Sequence, residues 1–139
     1  MNIFDLQDDI FEKLLADSTL INYLNIVDIT DMDNVKKKIR TSFGDPTLLT
    51  TDDESVFPFF EFSFVPSIGT TNNFLLNRPA LQFRIYYLFE TDKKNVSKSI
   101  DKVLKNSYED TQIISQGEYS IGLKDIYCWR ITYKPFTFS

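Results

Sequence analysis

The sequence changes period after residue 57, and that change restricts the fold more than any other feature. In "FPFFEFSFV" (57–65), Phe60, Phe62 and Phe64 alternate with Glu61 and Ser63. In "ALQFRIYYLFE" (80–90), Leu81, Phe83, Ile85, Tyr87 and Phe89 alternate with Gln82, Arg84, Tyr86, Leu88 and Glu90. Successive strand residues point to opposite faces, so this alternation predicts two strands, each with one apolar and one mixed face. Burying a phenylalanine is worth roughly 1.5–3 kcal/mol, and 13 of them in one chain supply the bulk of a core. The link at 66–78 is longer than most hairpin loops and ends in the apolar "FLL" of "NNFLLNRP". Those three residues either fold back onto the core or meet a partner.

Around these strands the period is helical. "IFDLQDDIFEKLLAD" sets Ile3, Leu6, Ile10, Phe11, Leu14 and Leu15 on one face, with acids near its start, where the helix dipole favours them. Asp17 and Ser18 predict a cap that restarts a short helix through "TLINYL". A third helix is expected in "TDMDNVKKKI", with Thr30 as its cap and Met32, Val35 and Ile39 on one side. Residues 41–56 read as loop. Thr91 or Asp92 is expected to cap "DKKNVSKSIDKVLKNS", whose stripe is Val96, Ile100, Val103 and Leu104.

"DTQIISQGEY" and "DIYCWRITY" predict two closing strands joined across Gly122, the last with Tyr127, Trp129 and Ile131 inward. The expected fold is α+β, a single domain over 1–139. Its mainly antiparallel four-stranded sheet has helices on one face, in the order α-(α)-(α)-β-β-α-β-β.

Little chemistry is visible. The chain has no histidine, which removes histidine-based nucleophilic catalysis and the common zinc ligand sets. Cys128 is the single cysteine and is expected to be buried. Adjacent acids such as Asp8–Asp9 and Asp52–Asp53 do not face each other across a cleft. "DITDMDN" lacks calcium-loop spacing, and its acids read as helix caps. No enzyme, metal or cofactor is expected.

The formal charge of −5 is unevenly spread: residues 1–55 hold twelve of the 20 acids and five of the 15 bases. Tight nucleic-acid binding, which needs clustered Lys and Arg, is not expected. The acidic N-terminus predicts cytosolic synthesis without membrane insertion.

Function is then expected through contact. The mixed sheet face (Glu61, Ser63, Gln82, Arg84, Tyr86, Arg130, Thr132, Lys134) is either solvated or packed on another subunit.

The opening helix running into "LLADSTLINYL", the strand "FPFFEFSF", the strand-to-helix passage "LQFRIYYLFETD" and the closing "DIYCWRITY" together resemble the tail terminator (tail completion, head–tail joining) family of long-tailed bacteriophages. The resemblance implies a non-enzymatic virion protein at the tail–head junction. Such a protein forms a ring, usually of six copies, that ends polymerisation of the tail tube protein. It also offers a docking surface to the head or neck completion protein, with DNA passing through a channel. A neck stopper or minor joining protein is the near alternative; a monomeric peptide- or ligand-binding or inhibitor module is the alternative of another class. The candidate contact residues are Phe74, Leu75, Leu76, Arg78, Glu61, Arg84, Tyr86, Arg130, Lys134, Phe136 and Phe138.

Overall fold

The computed structural model describes residues 3–65 and 79–134. Helix α1 spans Ile3–Leu15, α2 Ser18–Tyr23 and α3 Met32–Lys38. Strand β1 is Ile39–Arg40, β2 Phe59–Val65 and β3 Ala80–Tyr87. Helix α4 is Glu90–Ser107, followed by β4 Ile113–Tyr119 and β5 Tyr127–Tyr133.

Among the described residues the sheet has five strands in the order β1-β2-β3-β5-β4, and it is mixed. The expected four strands are present and pair with one another antiparallel. The fifth is β1, where Ile39 and Arg40 leave α3 and pair parallel with Phe60 and Glu61. A two-residue strand is too short to show a period, and Ile39 falls equally well on the apolar stripe of the preceding helix. The α+β class stands; the strand count and the purely antiparallel reading do not.

Two caps also differ from expectation. Asp31, not Thr30, caps α3 by accepting from the Asn34 amide; Thr30 is taken up by Asp28, which accepts from its amide at 2.9 Å. Helix α4 begins at Glu90 with no side-chain cap at Phe89. Its first turn instead carries Glu90 and Asp92, which favour the positive end of the helix dipole. Of the acids of "DITDMDN", Asp28 caps a turn, Asp31 caps α3 and Asp33 lies in the first turn of that helix. Asp17 caps α2 as expected, accepting from the Leu20 amide at 2.9 Å.

The main core lies between the helices and one sheet face. Phe60 and Phe62 of β2, Phe83 and Ile85 of β3 and Ile131 of β5 are fully buried against Leu6, Ile10, Leu14, Val96 and Ile100. Phe62 stacks on Phe83 at 5.3 Å, and Phe83 meets the edge of Tyr133 at 5.9 Å. Two buried hydroxyls of this core are satisfied: Tyr133 donates to Asp101 of α4, and Tyr87 donates to Glu118 of β4. Tyr108 donates to Asp9, which ties the end of α4 to α1 and holds the Asp9 carboxyl below its usual range. At the start of β5 the inward face is only half closed. Trp129 is partly buried beneath the Lys93 ammonium, 4.5 Å from its ring, and Tyr127 is exposed.

Candidate functional site

The opposite, mixed face of the sheet is neither bare nor simply solvated. The segment 41–57 and the β4–β5 connection fold over one end of it. Beneath them Phe57, Phe59, Tyr86, Ile126 and Cys128 form a second, smaller core with Leu49 and Tyr119 at its margin. Asp45 and Asp53 shape that covering segment by accepting from the amides of Thr47 and Ser55, each two residues on. Asx turns of this kind allow a segment without periodic apolar residues to take a fixed path.

One row of residues crosses this face through all five strands. Arg40 is paired in register with Glu61, Glu61 with Arg84, Arg84 with Arg130, and Arg130 with Gly117. Glu61 is only 2% exposed. Its Oε2 accepts from the Gly44 amide at 2.7 Å, which fastens the covering segment to the sheet. Neither flanking arginine forms an ion pair with it. The Arg40 guanidinium lies 3.9 Å above the Phe59 ring and donates through Nε to the Lys37 carbonyl. The Arg84 guanidinium lies 3.9 Å above Phe43 and donates to Gln82. Aromatic faces attract cations, so both guanidiniums are held on rings instead of on the carboxylate.

The other Glu61 oxygen, Oε1, and the Tyr86 hydroxyl are buried without a hydrogen-bond partner. They sit on diagonal neighbours, as acceptor and donor. Burial, and then the Glu61 charge, push the Tyr86 hydroxyl well above the usual tyrosine range, so it keeps its proton. Two clefts meet at the wall formed by Arg40, Gly44 and Glu61. One, of about 700 Å³, reaches α1 and α3 at Asp8 and Lys36; the other, of about 310 Å³, lies under Leu48 and Leu49.

The expected contact residues therefore separate into groups. Glu61 and Tyr86 are covered by the chain's own segment 41–57 and are not available to another subunit. Arg84 and Lys134 are partly exposed and Arg130 is exposed, so all three face outward. Phe74, Leu75, Leu76, Arg78, Phe136 and Phe138 lie outside the described residues. Sequence reasoning missed Arg40, Phe43 and Gly44. The glycine in "SFGD" marks a turn, and nothing in that stretch signals that its amide reaches a glutamate 17 residues on.

Cys128 is fully buried beside Tyr86, and burial pushes its thiol up to about 12. The thiolate is the reactive form, so native protein is expected to leave Ellman's reagent unreacted over minutes and to release one equivalent on unfolding. Rapid stoichiometric reaction in the native state contradicts this packing.

No protein-family model matches the chain, and no curated protein and no solved structure matches it either. Among the described residues no helix is long and apolar enough to cross a membrane.

Proposed function

We propose that the chain is a tail terminator of a long-tailed bacteriophage: a ring subunit that caps the tail tube, stops its polymerisation and presents the docking surface for the head and neck. The observation that carries the reading is the arrangement of the sheet. Its helices are confined to one face, and both of its edges are open among the described residues. On one side β4 pairs only with β5; on the other, β1 covers only Phe60 and Glu61 of β2. A closed ring needs two different surfaces of each subunit to meet, and a sheet with two unlike edges and a polar face offers them. Apart from the added β1, the elements follow one another in the order expected from the sequence, which supports the reading. In particular, β3 passes into α4 through Leu88 and Phe89 alone.

Particles assembled without this protein test the reading by negative-stain microscopy. Overlong or ragged tails are the expected result. Tails of normal length beside unattached heads would move the role to a neck stopper or joining protein.

A second reading has its own support. The two clefts that meet at the buried Glu61 suit a monomeric module that holds a peptide or small ligand. A species that stays monomeric at every concentration and never decorates tail tubes favours that module.

A further inference from the structure

Arg84 and Arg130 are direct cross-strand partners on the open part of the mixed face. Like charges directly opposite on antiparallel strands, with Cβ atoms about 4.5–5.5 Å apart, work against the pairing. Neither enters an ion pair among the described residues, and the one acid in the row, Glu61, is buried, bonds Gly44 through Oε2 and is shared between Arg84 and Arg40. The two guanidiniums are instead held by rings, Arg84 by Phe43 at 3.9 Å and Arg130 by Tyr119 at 4.8 Å. Next in the row stands Gly117, above which a side chain would meet no atom within 4 Å. The result is two fixed positive groups beside an open shelf.

A matching pair exists elsewhere on the chain. Asp8 and Glu12 of α1 are both exposed, and neither forms an ion pair among the described residues. They are four residues apart on one helix, which places their Cβ atoms about 5–6 Å apart and makes the pair mildly unfavourable in isolation. The two spacings match, and each pair relieves the repulsion of the other. Helix α1 packs through Leu6, Ile10 and Leu14 against the other face of the sheet, and Asp8 lines only the cleft at the Arg40 end of the row; no contact joins Asp8 or Glu12 to Arg84 or Arg130 within one copy among the described residues.

We propose that Arg84 and Arg130 receive the carboxylates of Asp8 and Glu12 from a second copy of this chain. The inference rests on the reading of the protein as a ring subunit, and it names one of the contacts that would build the ring. The contact is heterologous, since a different face is used on each copy. A nucleic-acid phosphate is the weaker occupant. The chain carries −5 overall, and residues 56–139, which hold both arginines, carry only +2.

Charge reversal with rescue tests this on the full chain, with mass in solution followed by sedimentation velocity across a salt series. Wild type is expected to associate at low salt and to dissociate as sodium chloride is raised. R130E is expected to weaken association at least tenfold, and R130Q less. The double variant D8K/E12K is expected to do the same. An equimolar mixture of R130E and D8K/E12K should restore complexes that neither forms alone. All four side chains except Arg84 are exposed, and circular dichroism confirms folding of each variant before it is scored.

If wild type stays monomeric at every concentration and salt, both this contact and the ring reading fall. If wild type associates and R130E associates equally, the contact falls and the ring reading stands. Single reversals that break association without rescue on mixing overturn the choice of Asp8 and Glu12. If R130E leaves association intact but loses affinity for a short DNA duplex, the pair is a phosphate site and the proposal is overturned.

Discussion

Phe83→Ala is expected to lower stability by about 3–5 kcal/mol, the range for truncating a fully buried aromatic residue. Phe83 lies in β3, the central strand, and is entirely inaccessible. It touches aromatic partners from both neighbouring strands: Phe60 at 5.8 Å, Phe62 at 5.3 Å and Tyr133 at 5.9 Å. Removing the ring opens a cavity that three other rings line, and rings cannot collapse into it without leaving their own contacts. Urea unfolding measures the change, with the midpoint falling and the slope holding constant. Trp129→Ala provides the comparison on the same face. Trp129 is only partly buried and is shielded by Lys93, so its loss should be clearly smaller. Equal losses at the two sites would mean that the core is not centred where the aromatic stack places it.

The contrast between those two residues shows how far the sequence could be read. Alternation over 57–65 and 80–90 says which residues share a face, and the structure agrees for Phe60, Phe62, Leu81, Phe83 and Ile85. It does not say how deeply each position is covered. Trp129 and Tyr127 keep the inward parity of Ile131, yet Trp129 is only partly buried under the Lys93 ammonium of the first turn of α4 and Tyr127 is exposed. The same limit explains Glu61. Parity puts it on the mixed face with Arg84 and Arg130, but its burial depends on a segment that reaches it through Gly44, 17 residues away in sequence. That segment, 41–57, folds through Asx turns and one glycine amide instead of an apolar period, so neither its path nor its target was legible. β1 escaped for a related reason: two residues carry no period of their own. The arginine row became visible only once the register between strands was fixed, because opposition across a sheet is a property of pairs, not of any single stretch.

Glu61 is where the covering segment is expected to fail first. Glu61→Ala removes the side-chain acceptor of the Gly44 amide and takes the negative charge from between Arg40 and Arg84. A hydrogen bond to a charged group contributes about 1.5–3 kcal/mol, so a loss of about 2–3 kcal/mol is expected. Glu61→Gln retains an oxygen for Gly44 and should cost about 1 kcal/mol, the share that belongs to charge in a partly screened row. Hydrogen exchange separates a local effect from a global one. In Glu61→Ala the amides of 43–49 should exchange faster than the drop in global stability accounts for, while those of β3 and β5 should follow that drop alone. Such a pattern means that this carboxylate holds the covering segment in place locally and contributes little to the rest of the sheet. A larger loss for Gln than for Ala would reverse the assignment, because it would make the unpaired Oε1, and not the bond through Oε2, the group whose environment decides the energy.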